Sequence, residues 1–173
     1  MSRTILLAAL AAFAASSAGA HVTLENRQAA VGSYYKAVFA VPHGCAGSAT
    51  VKVRVQIPEG VIGVKPMPKP GWSVEAIKGK YAAEYDYHGA KLSEGVKEVV
   101  WSGGKLPDDN YDEFVVSTYL TGGLNPNSML YFPVVQECEQ GVSRWIDIPA
   151  AESAGHSHDA KSPAPGIKLT PKP

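Results

Sequence analysis

Apolar and polar residues alternate with a period of two along much of this chain. Val51, Val53, Val55 and Ile57 are separated by Lys52, Arg54 and Gln56. That spacing predicts a strand with one face buried and one in water. Further strands are predicted over 22–24, 34–41, 73–77, 81–87, 96–101, 114–120, 129–136 and 144–148. Turn sequences fall between them: Pro58-Glu59-Gly60, Pro68-Lys69-Pro70-Gly71, Ser102-Gly103-Gly104, Pro107-Asp108-Asp109-Asn110, Gly122-Gly123 and Glu139-Gln140-Gly141. No helical period survives after the first twenty residues. Many short strands at this spacing predict an all-β sandwich or barrel, with no internal repeat.

The two ends differ from this body. Arg3 precedes an apolar run over 5–15, followed by small residues ending in Ala18-Gly19-Ala20. This is the form of an export signal, with cleavage expected before His21. The run is shorter than the roughly 20 residues a spanning helix needs, so stable membrane insertion is not expected. The predicted organisation is a signal peptide over 1–20, one domain over 21–149 and a tail over 150–173. The tail is rich in Ala, Ser, Pro and Lys, and it contains His156 and His158. With so few large apolar groups it is expected to be disordered.

Charge adds an exclusion. Sixteen Lys and Arg balance sixteen Asp and Glu with no basic block, so nothing points to nucleic acid or to an anionic membrane. The two cysteines are Cys45 and Cys138. In an exported domain the expectation is a disulfide, worth about 4 kcal/mol for a loop of this length. The competing arrangement is a Cu(I) dithiolate, whose usual close C-x-x-C pair is absent.

Candidate chemistry centres on His21. Cleavage before it would leave a terminal residue offering two nitrogens, the α-amine and the imidazole Nδ1, that close a six-membered chelate ring on one metal. The amine has a pKa of about 8, so a metal displaces its proton near neutrality. Two such nitrogens suit tetragonal Cu(II), the strongest binder of the divalent series. A histidine falling after the cleavage site by chance is the plain alternative.

Several motifs in order give His21 its context. His21-Val22-Thr23-Leu24-Glu25 is followed by Ala30-Val31-Gly32-Ser33-Tyr34 and Val41-Pro42-His43-Gly44-Cys45. Then come Val53-Arg54-Val55-Gln56-Ile57-Pro58-Glu59-Gly60-Val61 and Lys65-Pro66-Met67-Pro68-Lys69-Pro70-Gly71-Trp72. Trp101-Ser102-Gly103-Gly104, Leu106-Pro107, Asp112-Glu113-Phe114 and Leu130-Tyr131-Phe132-Pro133-Val134-Val135-Gln136 complete the set. Over 21–148 the chain resembles the YcnI-like family of exported copper-binding domains, once described as a domain of unknown function. The resemblance implies an immunoglobulin-like β-sandwich and Cu(II) in a monohistidine brace. Carried onto this chain, it implies metal ligation by His21, a carboxylate from Glu113, and Trp145 beside the metal. Each has a plainer reading: Glu113 as a solvated strand residue that would turn inward only against a charge, and Trp145 as core. Trp72 and Trp101 are read as packing, and His43 and His88 as surface residues. Met67 and Met129 do not form the Met-rich run of a Cu(I) carrier.

The function this implies is not enzymatic. It is periplasmic copper homeostasis, storage or delivery, with copper, other copper chaperones or a cuproenzyme as partners. A copper-dependent polysaccharide monooxygenase is the alternative. It needs a second histidine on the metal, for which only His43 and His88 stand as candidates. A blue-copper carrier needs a cysteine that a disulfide would consume. No serine–histidine–carboxylate constellation, phosphate loop or dinucleotide fingerprint is present.

Overall fold

The computed structural model describes residues 21–149 and 162–172. The expected signal over 1–20 and the histidines His156 and His158 lie outside the described residues. Within them the chain is built from strands: β1 (Thr23–Leu24), β2 (Gln28–Ala30), β3 (Ser33–Val41), β4 (Thr50–Gln56), β5 (Val61–Pro66), β6 (Ser73–Tyr87), β7 (Ala90–Leu106), β8 (Asp112–Leu120), β9 (Met129–Tyr131), β10 (Val134–Cys138), β11 (Val142–Trp145) and β12 (Gly166–Thr170). They form a four-stranded sheet β1-β3-β8-β5, a five-stranded sheet β11-β10-β4-β7-β6 and a three-stranded sheet β2-β12-β9. Among the described residues no helix is long and apolar enough to cross a membrane.

The period of two explains the layering. Val53 and Val55 of β4, Val99 and Trp101 of β7 and Val134 of β10 are buried from the larger sheet. Phe39 of β3 and Phe114 and Val116 of β8 are buried from the smaller one. These inner faces form one core, the face-to-face packing of a sandwich. Trp72 and Trp101 both pack edge-on against Phe114, with ring centroids 5.0 and 5.4 Å apart. Both are packing residues, as expected from the sequence.

Several boundaries differ from the sequence reading. The runs 73–77 and 81–87 join into one strand, β6, that pairs with β7 as a long hairpin. Its turn is His88-Gly89, with φ of 51° and 81°, the two positive values that a tight two-residue hairpin turn requires. Ser102-Gly103-Gly104 is not a turn between strands. It lies inside β7, where the β4–β7 register shifts. Gly104 is needed there because a Cβ would sit 2.1 Å from the Trp72 ring. The run 129–136 is interrupted: Pro133 separates β9 from β10, since proline has no N–H to give a ladder. Strands β2 and β5 were not anticipated.

The expected disordered tail over 150–173 is corrected for its final part. Gly166–Thr170 is β12, parallel to β2 and antiparallel to β9. Ile167 and Leu169 point inward and are 0% and 1% exposed. Average composition misled the reading because two large apolar residues two positions apart suffice for a strand that neighbours flank on both sides. Ser162 to Ala164 also lie against Asp147, two residues past β11, through a bridge of Pro163 to Asp147 and backbone bonds of 3.0 Å from Asp147 N to the Ser162 carbonyl and from Ala164 N to the Asp147 carbonyl.

Cys45 and Cys138 form a disulfide, with Cα atoms 6.0 Å apart and a sequence separation of 93. It ties the loop after β3 to the end of β10. Such bonds persist in oxidising compartments and are rare in the cytosol.

Candidate functional site

His21 stands two residues before Thr23, the start of β1, at one edge of the four-stranded sheet. Val22 and Leu24 are 1% and 2% exposed and anchor the segment in the core. Pairing of Thr23 with Ala40 and of Leu24 with Phe39 sets its direction. Because side chains alternate along a strand, burial of Val22 and Leu24 leaves His21 on the outer side. It is half-buried there.

Trp145 ends β11 opposite Val134. Its ring is edge-on to the His21 ring, with centroids 5.3 Å apart and planes at 84°. Its Nε1–H donates to Oε1 of Gln136 at 3.1 Å. Gln136 is fully buried. Its Nε2 donates to the His43 carbonyl at 2.6 Å and to Thr50 Oγ1 at 2.7 Å. The amide thereby satisfies three polar groups inside the core, which is how a buried glutamine is tolerated. It also fixes the indole against which His21 rests. Sequence reading passed over Gln136, although the signal was present: it is in phase with Val134 and Cys138, both inward.

His21 lines a cleft of about 440 Å³ shared with Arg27, Met129, Lys168 and the backbone stretch from Pro163 to Gly166. The segment expected to be a loose tail therefore walls this cleft. Gly166 is required by close approach. A Cβ there would lie 2.8 Å from Tyr131 Cδ1 and 3.2 Å from Met129 Cε.

Glu113 is elsewhere. Phe114 beside it is buried, so Glu113 faces out from β8. It occupies the cross-strand row Thr23–Ala40–Glu113, two strand spacings or about 10 Å from β1. Its carboxylate accepts a hydrogen bond from the Tyr111 hydroxyl. That bond, then partial burial and the charges of Glu113, Glu25 and Asp112, push the Tyr111 hydroxyl up to about 12. Lys69 Nζ donates to Asp112 Oδ1 at 2.6 Å and to the Glu113 carbonyl at 3.0 Å. Glu113 thus belongs to an outward polar cluster with Tyr111, Lys69 and Asp112.

The structure therefore brings His21 and Trp145 together and leaves Glu113 outside the cleft. Among the described residues no three of His, Cys, Asp and Glu gather as a ready metal cage. A chain cleaved before His21 would offer a metal two donors from that one residue, its α-amine and its ring nitrogen, and Glu113 does not line the same cleft. His88 lies near the far end of β3, where its Nε2 and the Tyr34 hydroxyl are 2.6 Å apart. His43 follows β3, and its Nδ1 lies 2.6 Å from the Gly44 carbonyl.

One solved structure shares this architecture. A crystal structure of an uncharacterized protein from Nocardia farcinica, described as revealing an immunoglobulin-like fold, superposes with a TM-score of 0.62 at 25% identity. It covers 87% of this chain and 98% of that one. A putative membrane anchored protein from Corynebacterium diphtheriae gives a TM-score of 0.41 at 9% identity, over 88% of this chain and 35% of that one. No curated protein matches the chain. The fold is an immunoglobulin-like β-sandwich. The family model described as "Domain of unknown function (DUF1775)" matches residues 21–169, and since that match takes in every strand from β1 to within one residue of the end of β12, the chain belongs to this family, the domain on which the YcnI-like family is built.

Proposed function

We propose that this is an exported copper-binding protein of the periplasm, cleaved after Ala20, that holds Cu(II) through the α-amine and Nδ1 of His21. It acts in copper homeostasis, as a store or as a donor to a cuproprotein. The observation that carries the reading is the setting of His21. It opens the stretch that matches the family, is half-buried, and is braced edge-on by Trp145 in the lining of a cleft. A chelating residue held this way loses little freedom on binding, which favours affinity. The disulfide supports export, because oxidising compartments keep such bonds. In this reading His21 is the anchoring ligand, Trp145 shapes the site beside it, and Glu113 remains with Tyr111.

Two measurements on the exported protein test the proposal. Mass spectrometry should find His21 as residue one. Electron paramagnetic resonance of the protein loaded with one Cu(II) should show nitrogen ligation, and one extra residue before His21 should abolish that spectrum. His21→Ala should remove tight binding, while Trp145→Phe should keep it and change the optical spectrum. Glu113→Gln should leave affinity nearly unchanged. A mature chain starting elsewhere, or an unchanged spectrum in the extended form, would sink the terminal chelate.

A further inference from the structure

The cleft beside His21 holds a donor with no part in a Cu(II) chelate. Met129, in β9, lines the same cleft and is 48% exposed. β9 pairs with β12 so that Met129 lies opposite Lys168. The bare Cα of Gly166 lets the end of the Met129 side chain lie across β12, where a Cβ would meet it at 3.2 Å. The Met129 thioether therefore stands on the cleft surface, open to solvent.

Charge discriminates between copper states. Arg27 and Lys168 line the cleft with His21 and Met129. The backbone bond from Lys168 N to the Arg27 carbonyl, at 2.8 Å, keeps those two residues adjacent. Coulomb repulsion scales with the charge of the ion, so two nearby cations oppose Cu(II) twice as strongly as Cu(I). Neutral soft donors complete the preference: thioether sulfur selects Cu(I), and imidazole accepts it.

We infer that the cleft carries a Cu(I) site made by the His21 ring and the Met129 thioether, so that His21 serves both copper states and Met129 only the reduced one. This rests on the His21 reading above and adds its partner for Cu(I). A donor used in one oxidation state alone gives an exported copper protein a state-dependent grip on its metal.

The test uses the mature protein and copper alone. Cu(I), supplied without oxygen, is titrated against a competing Cu(I) chelator for the wild type, Met129→Leu and the control Met67→Leu. Cu(II) affinity and resonance spectra are recorded for the same three. Met129→Leu should weaken Cu(I) by about tenfold or more, since even residues supporting a metal ligand cost that much. It should leave Cu(II) unchanged, and Met67→Leu should change neither. X-ray absorption of the Cu(I) form should show a sulfur neighbour that Met129→Leu removes. Unchanged Cu(I) affinity in Met129→Leu, with Cu(II) still bound by the wild type, overturns the Met129 site alone. A wild type that binds neither state overturns the His21 reading as well.

Discussion

Strand β12 offers the sharpest test of how this fold holds its candidate site. Ile167 and Leu169 are 0% and 1% exposed and join the central core with Val22, Leu24 and Phe132. Truncating a buried Ile or Leu to Ala costs about 2–5 kcal/mol, from lost transfer energy and the cavity left behind. Ile167→Ala and Leu169→Ala should each destabilise by that amount. In a domain of this size that lowers Tm by roughly 4–20 °C, at about 2–4 °C per kcal/mol. Lys168, between them, faces out and is exposed. Lys168→Ala should therefore stay within about 0.5 kcal/mol of wild type. Urea unfolding followed by tryptophan fluorescence resolves these differences. If the midpoint moved and the slope did not, the change would be one of stability alone. Deleting 166–173 should do more than either point change, because it also strips β2 and β9 of their shared partner. It should also weaken Cu(II) binding at His21, whose cleft this segment walls. Alanine variants at 167 and 169 as stable as the wild type would refute the reasoning and return the segment to a loose tail.

Two further outcomes follow from the fold. Mass measurement without reductant should find Cys45 and Cys138 joined, and replacing both by serine should cost on the order of 4 kcal/mol for a loop of this length; two free thiols in the folded protein would contradict the structure. Glu59 accepts hydrogen bonds from Lys97 Nζ, the Tyr85 hydroxyl and the Ala82 N–H at 2.7, 2.8 and 3.0 Å. Burial works against its charge, but those three donors together outweigh it and hold the carboxyl below the usual glutamate range. A carboxyl depressed in the folded state stabilises the fold above its unfolded pKa and loses that contribution as pH falls through its folded value. Glu59→Gln should therefore be less stable than wild type near neutrality, and the gap should close on acidification below the carboxylate range. A gap independent of pH would show that the charge is not what matters at this position.

How much of this was legible beforehand depends on the range of the interaction involved. Alternation at Val53, Val55 and Ile57, with Pro and Gly between strands, is a local signal, and it was enough to read an all-β chain. The cysteine pair was read from the count of two in a chain with an export-signal pattern, and His21 from its place after Ala18-Gly19-Ala20. The motifs from His21 to Gln136 carried the family. Strand boundaries were less secure, because a glycine pair inside β7 looks like a turn until Trp72 is seen to cover it. Glu113 illustrates the same limit. Its side was set by Phe114 turning inward and its partner by Tyr111, neither of which spacing alone decides.

The chain's own pattern thus determined the fold class and the core-facing alternation, and it singled out His21 as the candidate ligand of the proposed site. Only tertiary structure decided what His21 meets. Trp145 arrives from another sheet, its indole held by a buried glutamine; Met129 arrives from β9, and Lys168 and the 163–166 stretch come from a segment that composition had assigned to a tail. Those contacts depend on register between strands more than a hundred residues apart in sequence. Such register is fixed by which faces the whole core buries, and no local window contains that information.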